Sequence, residues 1–171
     1  MPEIVGHRGY AARAPENTLV SLDMAIEAGA DAVEWDVQVA ACGTPVLLHD
    51  DTLDRTTDGR GPVAAAPLAR LRDLDAGRWF GADFEGERIP SLAETLEHVR
   101  GRLARAFCEV KSFREPGDVD RVVEIVRTAG MLGEVVFISL EWEIVERVAS
   151  LEPAARIGFI LDEPSETNDA L

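Results

Sequence analysis

The chain has 171 residues, 46% of them hydrophobic and 29% charged, which suits a single domain with a sizeable core. Its 32 acids against 17 bases leave a net charge of −15, a surface that repels nucleic acids and anionic membranes at long range. No stretch approaches the ~18 apolar residues needed to span a bilayer. "MPEIVGHRGY" also lacks the basic and apolar regions of a leader, so a cytoplasmic location is the default expectation.

"EIVGH" reads as a short first strand. "NTLVSLDMAIEAGA" follows as a helix, with Leu19, Leu22 and Ile26 at helical spacing, Asn17 or Thr18 as N-cap and Gly29 as stop. "AVEWDVQV" is a strand whose side chains alternate. Val33, Trp35, Val37 and Val39 take one face, and Glu34, Asp36 and Gln38 the other. "CGT" is a turn and "PVLLHD" a third strand. Two cysteines, Cys42 and Cys108, do not make a disulfide framework, and each is expected to be a free buried thiol.

Residues 50–90 are irregular, rich in Asp, Gly, Arg and Pro, with one short helical stretch, "PLARLRDLD". A loop excursion of that length is usually functional. Within it, Trp79, Phe80 and Phe84 are expected to pin the excursion onto the rest of the domain. "SLAETLEHVR" opens a helix with Ser91 and Glu94 spaced as a capping box. "RAFCEVK" is the fourth strand. "GDVDRVVEIVRTAGM" is a helix with Val122, Ile125 and Val126 on one face. "EVVFISL", "EWEIVERVASL" and "ARIGFIL" follow as strand, helix and strand, and the tail "DEPSETNDAL" is polar and expected to fray.

Alternating strands and helices predict an α/β fold with a parallel sheet and helices outside. No Gly-x-Gly-x-x-Gly follows the first strand, and "GHRG" is not a Lys-Ser/Thr phosphate loop. A TIM-type (β/α) barrel fits better, because its strands carry polar residues inward at their C-terminal ends. Those ends hold His7 and Arg8, Glu34 and Asp36, His49 and Asp50, and Glu109 and Lys111. Each group alone has a bland reading: a strand-end His is usually structural, and a Glu-x-Lys pair is often only an ion pair. Together they place Glu34, Asp36 and Glu109 in one cavity, where repulsion and lost hydration call for a cation of high charge. Oxygen ligands suit Mg²⁺ or Ca²⁺ rather than zinc. Arg8 and Lys111 suit phosphate oxygens, and His7 and His49 suit acid–base work.

"GHRGYAARAPENTLVSLDMAIEAGADAVEWDVQV", "PVLLHDDTLDRTTDGRGPV", "IPSLAETLEHV" and "FCEVK" resemble the glycerophosphodiester phosphodiesterase family. His-Arg, Pro-Glu-Asn-Thr, Glu-x-Asp, His-Asp and Glu-x-Lys occur in the family's order between residues 4 and 111. The resemblance implies a TIM barrel with an insertion after the third strand and one divalent cation on Glu34, Asp36 and Glu109. It further implies His7 and His49 as the acid/base pair, with Arg8 and Lys111 on phosphate. The implied reaction turns a glycerophosphodiester, a small-molecule substrate, into glycerol 3-phosphate and an alcohol. Glu16 and Asn17 match the family's helix start, where capping and loop anchoring are the preferred roles. A lysophospholipase D-like phosphodiesterase and a truncated, non-catalytic binding relative are the alternatives.

Two features depart from the family. Cys42 stands in a turn where the pattern has an acid. Only six strands are counted in residues 1–171, whereas a TIM barrel has eight in ~250 residues, so the last two β/α units are expected to be absent and the outer strands to lack neighbours. A fragment is the preferred explanation, over edges shielded in a homo-oligomer or a smaller rearranged fold.

Overall fold

The computed structural model describes residues 2–161, so the expected fraying of the polar tail falls outside the described residues. The elements run β1 (Val5–Gly6), α1 (Leu19–Glu27), β2 (Ala32–Val39), β3 (Pro45–Leu47), α2 (Leu68–Asp73), α3 (Leu92–Val99), β4 (Arg105–Val110), α4 (Pro116–Thr128), β5 (Val135–Ser139), α5 (Trp142–Leu151) and β6 (Arg156–Phe159). One sheet holds them in the order β1-β2-β4-β5-β6, all parallel, with β3 attached to β2.

Local chemistry explains where the helices begin and end. Thr18 caps α1 by accepting from the Ser21 N–H, and Gly29, at φ 87°, turns the chain after it. Ser91 and Glu94 form the capping box of α3 in both directions. Pro116 opens α4, where its missing N–H costs nothing. Trp35, Val33 and Val37 of β2 pack with Cys108, Val110 and Phe137 of the neighbouring strands. Leu22, Leu96, Val122, Val126, Ile144 and Val148 cover them from the helices in the same core. The apolar face of β2 is thus directed at the helix layer, and all eight of its residues are buried.

β3 corrects the expected topology. It pairs antiparallel with β2, Val37 opposite Leu47 and Val39 opposite Pro45. Residues 40–44 form the connecting turn, far shorter than the dozen or more residues a parallel crossover needs. The described residues therefore contain five parallel strands rather than six. β1 spans only two residues beside Ala32 and Val33, and β3 takes over the same edge of β2 from Val37 onward. The two strands share one lane and point their C-terminal ends at each other. His7 leaves one end and His49 the other.

The loop excursion has its own small core of Leu53, Val63, Ala66, Leu71 and Ala76, joined to Ala40, Val46, Leu48 and Ile89. Those aliphatic residues fasten it to the β2–β3 hairpin. Trp79, Phe80 and Phe84 instead stack edge-to-face on one another, at 5.6 and 5.5 Å, and the Trp79 ring N–H donates to Ala76 O within the excursion. The expectation that they pin it to the domain is not met. Cys108 is buried as expected, and burial pushes its thiol up to about 12; Cys42 is exposed, because the tight turn turns its side chain outward.

β1 and β6 form the two outer edges of the described sheet. Ile4 and Tyr10 near one, and Trp142, Ile157 and Phe159 near the other, are exposed. The Trp142 and Phe159 rings meet edge-to-face at 5.7 Å.

Candidate active site

The site lies where β1 and β4 end, beside the middle of β2. In parallel strands, residues in register point to the same side. Asp36 is in register with Glu109, so both carboxylates project from one face of the sheet, with Glu34 two residues before Asp36. All three are buried, Asp36 completely, and one ligand atom from each lies within 4.8 Å of the others. Burial and the charge of Asp36 push Glu34 up to about 8. Glu34 Oε1 is buried without a hydrogen-bond partner. Asp36 Oδ1 meets only the Lys111 ammonium, at 3.0 Å and off hydrogen-bond alignment. Orphaned buried oxygens on Glu34 and Asp36, with Glu109 beside them, fit a hard divalent cation, and no Cys or His belongs to the cluster.

Two cations already lean on this charge. Lys111 Nζ lies 2.5 Å from Glu109 Oε1. Burial lowers the Lys111 pKa, but the hydrogen bond to Glu109 and the ion pair with Asp36 outweigh it and the net shift is upward. Arg8 Nε lies 3.1 Å from Asp36 Oδ2, and its Nη1 donates to Glu16 at 3.0 Å.

The backbone that delivers these groups is strained. Arg8 and Asn17 are the positive-φ non-glycine residues, at φ 56° and 58°, a conformation that costs roughly 1–2 kcal/mol each. Arg8 is held there from both sides. Its N–H donates to Glu34 Oε2 at 2.9 Å, while its carbonyl accepts from the Asn17 N–H and the Ser21 hydroxyl. Gly9, at φ 78°, lies so tightly on α1 that a Cβ would sit 2.3 Å from Ser21 Oγ. The "HRG" turn is therefore locked to the first turn of α1.

Asn17 departs from the role expected of it. It does not cap α1. Its amide donates to Asp36 Oδ2 at 2.8 Å and accepts from the Asp36 N–H at 3.0 Å, clamping the middle carboxylate. Anchoring is correct, and the anchor is the site itself.

His7 lies beside the carboxylates, and His49 follows β3 on the same edge of β2. His7 is largely exposed, with Nε2 3.8 Å from Glu34. His49 is about one-third exposed, and its Nδ1 is 2.8 Å from Asp50 Oδ1. The adjacent carboxylate favours a proton on Nδ1 and leaves Nε2 available. Gln38 holds the His49 carbonyl through Nε2 at 3.1 Å and accepts from the Ser112 hydroxyl. It supports the site without facing the carboxylate cluster as a ligand.

Sequence reasoning missed Arg55. Its guanidinium forks onto Asp50 at 2.7 and 2.9 Å and onto Glu16 at 2.8 and 2.8 Å. Hydrogen bonds from Arg55 hold Asp50 far below the usual carboxylate range; burial raises Glu16, but the hydrogen bonds and charges of Arg55 and Arg8 together outweigh it and lower it. The signal in the sequence was an arginine in the acid-rich run "HDDTLDR".

The arrangement has a pH signature in chelated protein. Glu34 keeps its proton to about pH 8 when folded and releases it near 4.5 when unfolded. The folded state then binds more protons at Glu34 between these values, so the contribution of this group to stability is fully present below 4.5 and is lost as pH rises toward 8. A melting curve series in chelator should show this decline, and excess Mg²⁺ or Ca²⁺ should flatten it. A flat series in chelator would mean that Glu34 ionises without a cation.

Fold and site together define a β/α-barrel protein with an acidic centre suited to a divalent cation at the C-terminal ends of its strands. The model of the Glycerophosphoryl diester phosphodiesterase family matches residues 7–171, and the chain belongs to that family. It is 35% identical over 159 residues to a glycerophosphodiester phosphodiesterase of Caldanaerobacter subterraneus subsp. tengcongensis, covering 92% of this chain and 65% of the relative. Among solved structures, a glycerophosphodiester phosphodiesterase from Agrobacterium tumefaciens aligns with a TM-score of 0.85 at 39% identity, over 92% of this chain and 66% of that one. An Oleispira antarctica phosphodiesterase in complex with the product sn-glycerol-3-phosphate aligns with a TM-score of 0.87 at 34% identity, over 97% of this chain and 69% of that one. The chain thus spans about two thirds of the length of these relatives.

Proposed function

We propose that this protein hydrolyses glycerophosphodiesters to glycerol 3-phosphate and an alcohol. The observation that carries the reading is the buried trio Glu34, Asp36 and Glu109, edged by the cations Arg8 and Lys111 and by His7. Its setting in a chain similar to a phosphodiesterase in complex with sn-glycerol-3-phosphate supports the substrate class. Glu34, Asp36 and Glu109 would hold one divalent cation, Mg²⁺ or Ca²⁺, which when bound supplies charge to offset that of the phosphate. Arg8 and Lys111 contribute guanidinium and ammonium N–H groups to the phosphate oxygens. His7 and His49 divide the proton transfers, one taking the proton of the nucleophile and the other protonating the departing alcohol. In His49 the atom that moves the proton is Nε2, because Nδ1 is engaged by Asp50.

Among the described residues no helix is long and apolar enough to cross a membrane. The free thiols of Cys42 and Cys108 fit a reducing compartment, which supports the cytoplasm as its location.

The test is release of glycerol 3-phosphate from choline, ethanolamine, glycerol and inositol glycerophosphodiesters, with Mg²⁺, with Ca²⁺ and with chelator. Cation-dependent release from at least one head group is expected. No release under any condition, together with cation binding, would indicate a non-catalytic relative. Cleavage of lysophospholipids alone would move the substrate to the lipid class.

A further inference from the structure

Arg55 belongs to the excursion and touches no atom of the carboxylate trio, yet its guanidinium reaches both halves of the site. It uses Nε, Nη1 and Nη2 to contact all four oxygens of Glu16 and Asp50. Each of those carboxylates has a second partner. Glu16 Oε1 also accepts from Arg8 Nη1 at 3.0 Å. Asp50 Oδ1 also meets His49 Nδ1 at 2.8 Å. Arg8 and His49 follow the facing ends of β1 and β3 on one edge of β2, and among the described residues no hydrogen bond joins them to each other. Arg55 closes the gap as a double fork between two carboxylates.

We propose that Arg55 is a positioning residue that sets the orientation of His49 and Arg8 together, so that the excursion must be docked for the site to be assembled. This deepens the proposed phosphodiesterase reading and rests on it for its activity arm. A guanidinium is required by geometry. Its planar donors can grip two carboxylates bidentately at once, whereas a lysine ammonium is a single point of charge on a flexible stem. Without Arg55, Asp50 and Glu16 would each face solvent with one remaining cationic or imidazole partner. Asp50 would then be free to leave Nδ1, and the His49 ring to exchange its tautomers. The Arg55 side chain is itself 44% exposed, so truncation opens no core cavity.

The experiment uses the full chain carrying Arg55→Ala and, separately, Arg55→Lys. Imidazole ¹⁵N NMR, with His49 assigned by its absence in His49→Ala, reports which ring nitrogen holds the proton. The parent should show His49 protonated on Nδ1 at a pH where the ring is neutral, and both variants should show a mixture of tautomers. Turnover of a glycerophosphodiester should fall about 10- to 100-fold, the usual loss when an outer partner of a functional group is removed. Added guanidinium should restore part of it in Arg55→Ala, and lysine should not substitute. A His49 tautomer unchanged from the parent would overturn the proposal. So would a turnover loss that guanidinium does not relieve and that tracks a lowered melting temperature, since that would be a stability effect alone. Parent protein with no turnover would sink the phosphodiesterase reading, while the tautomer measurement would still decide the role of Arg55.

Discussion

Asp36→Asn is expected to abolish divalent cation binding in a calorimetric titration and to lower turnover by about 10³-fold, the size of a loss of several kcal/mol of charge stabilisation. The side chain is fully buried and lies between Arg8, Lys111 and Asn17. Asn matches its shape, so the clamp from Asn17 can persist through the backbone N–H. What is lost is the central negative charge. The amide also places an N–H₂ group beside the Lys111 ammonium or the Asn17 amide donor, where a carboxylate oxygen had faced each. Glu34 and Glu109 remain, but two carboxylates hold a hard cation less tightly than three. A variant that bound Mg²⁺ or Ca²⁺ within threefold of the parent would remove Asp36 from the ligand set.

His49→Ala should behave differently. Turnover is expected to drop by at least ~10²-fold, the lower range for losing a general acid or base, with cation affinity and melting temperature unchanged. The reason is local. Among the described residues the imidazole hydrogen-bonds to Asp50 alone, and the backbone at this position is held independently by Gln38. Asp50 keeps both bonds from Arg55. Loss of activity without loss of cation binding or stability therefore separates proton transfer from assembly. Near-normal turnover would exclude His49 from that role.

Much of this was legible in the residues. The alternation in "VEWDVQV" told which face of β2 meets the helices, because Val33, Trp35 and Val37 cannot be left in water while Glu34 and Asp36 need a charged setting. The Ser91/Glu94 box and the Thr18 cap were readable from spacing, since capping depends on neighbours within a few residues. β3 was misread because alternation of strand and helix suggested one more parallel strand. The five-residue turn with Gly43 before it already excluded a crossover of that kind. Asn17 was misread for another reason. Its left-handed backbone turns the side chain away from the helix it precedes and toward β2, and a sequence pattern does not show φ. Arg55 pairs with Glu16 across 39 positions, so no periodicity marks it. Long-range ion pairs are set by packing, and here the packing of the excursion decides.

The hairpin also makes the spacing of the two histidines a matter of counting. β1 climbs toward the site and β3 descends to it along the same edge of β2, so the turn at 40–44 works as a ruler. Sliding β3 by one register step would move His49 about 3.3 Å along that edge and exchange which side its neighbours face. The length of this short turn, remote from the carboxylate trio, therefore sets where His49 stands along β2.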